Sequence, residues 1–226
     1  MRQRKIKNLE EKMTQFAAWT VEDPKAQAGA WRGLWQADAA EADGSHGAAD
    51  RRMLAVEIGC GKGQFLCGMA DLHPDWRFIG VEGHQSVVYH AMEKAGSREA
   101  DNVRIVPSYL RSAAECFAEN ELDRIYLNFS DPWPKVRHEK RRLTAKANLE
   151  AYVRVLAPGG LLEFRTDNEA FFDWSVEQVA EVPQCHVELL TKDLHAGGKP
   201  AVTTEYEDKF AAAGKKICFL RISIVK

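Results

Sequence analysis

The chain has 226 residues, 28% of them Asp, Glu, Lys or Arg, with a formal net charge of −2. That length suits one α/β domain, or a domain with one arm, and excludes a bulk polycation, so any affinity for nucleic acid must come from local patches. The five cysteines (Cys60, Cys67, Cys116, Cys185, Cys218) are odd in number and lack CxxC spacing, which argues against a disulfide framework or a zinc site and reads as small buried side chains in a reducing compartment. No apolar run follows the basic start and none reaches membrane-spanning length, so a soluble cytoplasmic protein without membrane or metal is expected.

In chain order, residues 1–50 read as a basic, tryptophan-containing arm and a flexible loop, and residues 51–226 as the main domain. Met1 to Lys7 form one basic patch. Trp19, Trp31 and Trp35 follow within a polar stretch. They predict that the arm packs on the body, since leaving each ring in water would forgo burial worth roughly 2–3 kcal/mol. Residues 37–50 are small and acidic with no apolar period, the pattern of a loop.

From Met53 the pattern alternates. Strands are predicted at 54–58, 77–82, 103–106, 124–129, 161–167, 185–190 and 217–225, with helices after 64, through 91–95, over about 111–119, across 144–156 and through 170–181. Seven strands alternating with helices imply a doubly wound, mostly parallel α/β sheet. The last two strands have no helical pattern between them, so the last is expected to run antiparallel.

Gly59, Gly61 and Gly63 follow the first strand at alternate positions, which lets backbone approach a ligand and aims helix N-terminal amides at it. Gly-x-Gly alone is weak. The dinucleotide fingerprint G-x-G-x-x-G is not met, because the third glycine comes one residue early, and no phosphate-binding G-x-x-x-x-G-K-[S/T] loop is present. Glu82 ends the second strand 21 residues after Gly61, where a carboxylate accepts hydrogen bonds from ribose hydroxyls. Glu57, just ahead of the glycines, would repel a pyrophosphate and favours a cationic ligand. S-adenosylmethionine, with its nucleoside, ammonium and sulfonium, fits these residues; another adenosine ligand is the alternative.

The fourth strand stops at Asp131-Pro132-Trp133-Pro134, since two prolines bar both helix and ladder. This leaves a carboxylate at the C-terminal edge of a central strand, where ligands bind in open α/β sheets. From Lys135 to Lys146 there are six Lys or Arg against Glu139 alone, a grip for a polyanion. An ordinary Asp-Pro turn followed by a solvated helix face is the alternative.

Glu57-Ile58-Gly59-Cys60-Gly61-Lys62-Gly63, Asn128 through Arg142, Arg165-Thr166-Asp167-Asn168 and Thr204-Glu205-Tyr206-Glu207 with Lys209-Phe210 occur in an order that resembles the bacterial tRNA (guanine-N7)-methyltransferase family, over residues 53–226. The resemblance implies a Rossmann-like, seven-stranded sheet of the class I methyltransferase type, S-adenosylmethionine as cofactor, tRNA as partner, and methylation of the variable-loop guanine at position 46. It places Glu57, Glu82 and Asp131 on cofactor positions, with Gly59, Gly61 and Gly63 in the cofactor turn. Lys135, Asp167 and Thr204, Glu205, Tyr206 and Glu207 fall on substrate positions. Near the adenine this chain has Tyr109-Leu110 where the family carries Asp or Asn followed by Ala. Residues 37–50 look like an insertion outside the pattern.

Guanine N7 keeps an in-plane lone pair at neutral pH, so its methylation needs alignment and no general base. Asp131, the expected catalytic residue, and Asp167 end two neighbouring predicted strands, where carboxylates stabilise the cation developing on the purine. Extruding the base would use a stacking ring, Trp133 or Tyr206. His138 is read with the substrate and Arg137, Lys140, Arg141 and Arg142 as phosphate contacts, in a monomer or homodimer. Two rivals are a methyltransferase acting on another RNA or DNA base, and a non-catalytic RNA-binding module on the same fold.

Overall fold

The computed structural model describes residues 6–35 and 52–226. Residues 1–5 and 36–51, which hold most of the first basic patch and the whole of the 37–50 stretch, lie outside the described residues. Seven strands form one sheet: β1 (Leu54–Ile58), β2 (Arg77–Val81), β3 (Val103–Val106), β4 (Leu122–Asn128), β5 (Leu156–Thr166), β6 (Cys185–Thr191) and β7 (Cys218–Ile224), in the order β3-β2-β1-β4-β5-β7-β6. β1 to β5 pair in parallel, and β7 inserts antiparallel between β5 and β6. β1 and β2 are buried along their whole length, as central parallel strands covered on both faces must be.

The covering helices follow from apolar spacing. α2 (Gln64–Leu72) buries Phe65, Leu66, Cys67 and Ala70. α3 (Gln85–Ser97) buries Val88, Ala91, Met92 and Ala95, the i, i+3, i+4, i+7 stripe of a helix that packs on a sheet. α4 (Lys146–Val155) and α5 (Glu169–Ala180) bury Leu149, Tyr152 and Val155, and Phe171, Phe172 and Val179. The strand order reverses between β1 and β4, so their C-terminal ends open a crevice at Glu57 and Asn128.

The tryptophan arm does pack on the body. It begins with α1 (Leu9–Thr14), and Thr20 then bridges Ile105 in parallel at the β3 edge. Trp31 and Trp35 are fully buried. Their indole N–H groups donate to the carbonyls of Cys116 (2.6 Å) and Asp101 (2.8 Å), and Trp19 donates to Ala100 (3.1 Å). Glu121 collects the backbone N–H groups of Gly29, Trp31 and Ala118, holding the arm against the segment before β4.

Three expectations change. The helix over 111–119 is only a 3₁₀ turn at Ala113–Glu115: Trp31 takes the Cys116 carbonyl and stacks on Phe117 at 5.2 Å, so packing of the arm outweighs local helix preference. β5 starts at Leu156, before the Pro158-Gly159-Gly160 breaker, with a shift of register between Leu122 and Arg124. The stretch before β7, read as non-helical, contains α6 (Glu205–Ala212), capped by Thr204, whose hydroxyl accepts from the Glu207 N–H at 2.9 Å. Thr204-x-x-Glu207 is a capping-box signature, a signal that could have found this helix.

Candidate active site and nucleic-acid face

At the β1 end, Gly59, Gly61 and Gly63 all take left-handed φ values of +80°, +56° and +74°. A side chain at Gly63 would also lie 3.0 Å from the Ala91 Cβ, whereas at Gly59 and Gly61 a Cβ would meet open space. The turn is thus bare on its ligand side and tight against α3. Glu82, half-buried, closes it: one carboxylate oxygen accepts from the Gly61 N–H (3.2 Å) and the other from the His84 N–H (2.8 Å). The Tyr109 ring lies directly on Gly83, the residue after Glu82, and remains largely exposed. Leu110, half-buried, packs against the hydrophobic core.

Glu57 is buried in the crevice. Its Oε1 accepts from the Asn128 side-chain amide at 2.8 Å, while Oε2 has no partner. Burial pushes its carboxyl up to about 7, against the Asn128 hydrogen bond and the Arg165 charge, which pull it down. A buried acceptor without a donor is costly, and a ligand ammonium would relieve it. An orphaned carboxylate oxygen, two glycines facing open space and a half-buried Glu82 therefore fit S-adenosylmethionine.

At the β4 end, Phe129 and Trp133 carry left-handed φ values of +51° and +40°, strain that persists only where the surroundings impose it. Between them Asp131 is exposed. Arg142 imposes much of this geometry. Its guanidinium donates to the carbonyls of Pro132 (2.9 Å) and Trp133 (3.1 Å) and lies 4.2 Å from the Trp174 ring centroid. Arg142 is therefore a latch of the turn. The run reading as a helix start is a 3₁₀ helix at Val136–Arg141. Lys135 before it and Arg137, Lys140 and Arg141 within it are exposed, and Arg141 and His138 also lie against the Trp133 ring at 5.0 Å and 5.7 Å.

α6 brings the remaining residues in. The Phe129 ring lies 6.4 Å from Tyr206 and 5.9 Å from Phe210, so the acidic turn and the 204–207 segment meet, and Tyr206 stays more than half exposed at 57%. Glu207 takes another place than direct substrate contact. It is fully buried, one oxygen accepting from Arg165 (3.2 Å) and the other paired with His195 Nε2 (2.8 Å). Arg165, itself buried beneath the Phe65 ring, thus ties β5 to α6; the sequence motif includes it without giving it a role, and His195 was not singled out from sequence. Asp208 fastens the same helix to α2 through the Gln64 side chain (2.9 Å), and the bond from Lys199, with those from Gln64 and Thr203, holds its carboxyl at about 2. Asp167, at the end of β5 beside β4, is ion-paired with Lys215 at 2.6 Å. Among the described residues, no His, Cys, Asp and Glu group could hold a metal and no helix is long and apolar enough to cross a membrane.

A parallel sheet with an antiparallel β7 and a glycine turn backed by Glu57 and Glu82 define a class I S-adenosylmethionine-dependent methyltransferase fold. Solved structures agree in fold: the 16S rRNA methyltransferase KamB superposes with a TM-score of 0.57 at 12% identity, covering 77% of this chain and 88% of that one. A SAM-dependent methyltransferase from Aquifex aeolicus does so with 0.52 at 15%, covering 96% and 90%. A family model described as "Putative methyltransferase" matches residues 51–220. Proteins named tRNA (guanine-N(7)-)-methyltransferase from Geobacillus kaustophilus and Geobacillus thermodenitrificans are 40% and 38% identical over 220 and 218 residues, each covering 96% of this chain and 94% of the relative. The chain belongs to the tRNA (guanine-N(7)-)-methyltransferase family.

Proposed function

We propose that this protein methylates N7 of guanine in tRNA, at position 46 of the variable loop, with S-adenosylmethionine as methyl donor. The observation that carries the reading is the contact of Phe129 with Tyr206 and Phe210, which brings the Asp131 turn and the 204–206 segment to one mouth beside the glycine turn. When bound, S-adenosylmethionine supplies an electrophilic methyl group. Glu57 would receive its ammonium, Glu82 its ribose hydroxyls, and Tyr109 its adenine.

The chain's own task is alignment. Tyr206, exposed and backed by Phe129, offers a face on which an extruded guanine stacks. Asp131 suits a carboxylate that stabilises the positive charge the purine acquires, and Asp167 can leave Lys215 to add a second negative charge beside it. No side chain has to remove a proton, because N7 is already a lone-pair nucleophile. Lys135, Arg137 and Lys140 project from the turn and suit phosphates, with His138 and Arg141 buttressing Trp133 beside them. The test compares a tRNA transcript carrying guanosine 46 with the same transcript carrying adenosine there. Incorporation of labelled methyl into the first alone supports the reading, and equal incorporation contradicts it.

A further inference from the structure

A groove of about 430 Å³ lies where the glycine turn, α3 and the start of α6 meet, and the two lysines lining it share one carboxylate. Elsewhere in the groove His90 lies 3.2 Å from Glu93, and Arg98 pairs with Asp71 at 3.3 Å. Lys62 and Lys94 share one carboxylate: Glu205 places Oε2 3.2 Å from the Lys62 ammonium and Oε1 3.7 Å from that of Lys94. All three side chains keep contact with solvent, at 48%, 24% and 41% exposure. Two cations therefore face one anion, and that anion sits next to Tyr206 in the segment that would receive the guanine.

We infer that Lys62 and Lys94 form a phosphate subsite for the RNA strand at the target nucleotide, with Glu205 as its exchangeable counter-ion. The inference rests on the reading that residues 204–206 face the guanine. In the free protein Glu205 neutralises the lysines and keeps the groove from holding stray anions. A guanine entering beside Tyr206 offers N1–H and N2–H donors to a carboxylate. Glu205 turns to the base, the lysines are left with two uncompensated charges, and a phosphodiester at −1 takes the vacated place. Adenine presents an acceptor at N1 beside a single N6 amino donor, so it draws Glu205 away far less than the two donors of guanine do. Binding of the base and grip on its phosphate are thereby coupled, and discrimination of the base gains a contribution from charges that never touch it.

The experiment measures tRNA binding across a salt series for wild type, Lys62→Gln/Lys94→Gln and Glu205→Gln, using transcripts with guanosine or adenosine at the target. The double lysine variant should lose about fivefold to tenfold in affinity for the guanosine transcript and shallow its salt slope by about one unit. For the adenosine transcript it should lose less than about twofold, since Glu205 still occupies the lysines. Glu205→Gln, by freeing them, should tighten binding of the adenosine transcript. Equal losses on both transcripts, or an unchanged slope, would overturn the subsite. If the double variant no longer binds cofactor, Lys94→Gln, on α3 and not on the turn, carries the same comparison. Methylation of the guanosine transcript by wild type, measured alongside, separates failure of this inference from failure of the proposed activity.

Discussion

The two halves of the crevice are built differently. On the β1 side, Glu57 is held by burial and the Asn128 amide and Glu82 by the backbone N–H groups of Gly61 and His84, and one Glu57 carboxylate oxygen is left without a partner. On the β4 side, Asp131, Lys135 and Tyr206 are exposed, two neighbours are strained, and Asp167 and Glu205 are occupied by lysines. A small ligand of constant shape suits a finished socket, whereas a folded polyanion suits a face whose carboxylates can exchange partners.

The largest expected effect separates the halves most sharply. Asp131→Asn should lower turnover by about a hundredfold to a thousandfold while the melting temperature holds; near wild-type rates in single-turnover assays would reduce Asp131 to a turn residue. Glu82→Ala acts on the other half and should weaken cofactor binding by roughly 2–3 kcal/mol by calorimetry, leaving tRNA affinity unchanged.

Glu57 sets stability against binding. Its folded value of about 7 lies above its ordinary 4.5, so the stability it contributes is present below pH 4.5 and is lost as pH rises through 7. Glu57→Gln should flatten that slope and raise ligand-free stability at pH 8 by on the order of 2–3 kcal/mol, yet weaken the cofactor. A parallel pH profile of unfolding for the two proteins would show that the carboxyl is not buried as described.

Within the basic run, Lys135, Arg137 and Lys140 replaced together by Ala should shallow the slope of log K for tRNA against log salt by about 2–3 units. Arg142→Ala should leave that slope alone and cost about 1–2 kcal/mol of stability through lost bonds to the Pro132 and Trp133 carbonyls. Identical slopes for wild type and the triple variant would make the run a solvated face.

The fold was legible because buried parallel strands advertise themselves as apolar runs and glycine-rich turns follow them at set spacing; β1, β2 and β3 sit within a residue of expectation. Glu82 was legible for the same reason, being local to a strand end. What stayed hidden depends on partners distant in sequence. Nothing around Arg142 distinguishes it from Arg141, and its bonds to the Pro132 and Trp133 carbonyls together with the Trp174 ring make it the latch. Glu207 looked like a substrate residue within its motif, and its burial follows from Arg165 and His195 arriving from other elements. The 3₁₀ turn at Ala113 was obscured in the same way, by Trp31 some eighty residues earlier in the chain.

The central claim is that an aligned lone pair is methylated without a general base. Nucleoside analysis by mass spectrometry of unmodified tRNA, incubated with the protein and S-adenosylmethionine, tests it most directly. N7-methylguanosine as the methylated product is the result predicted here; methyl on guanine N1 or N2, whose chemistry requires removal of a proton, would contradict it.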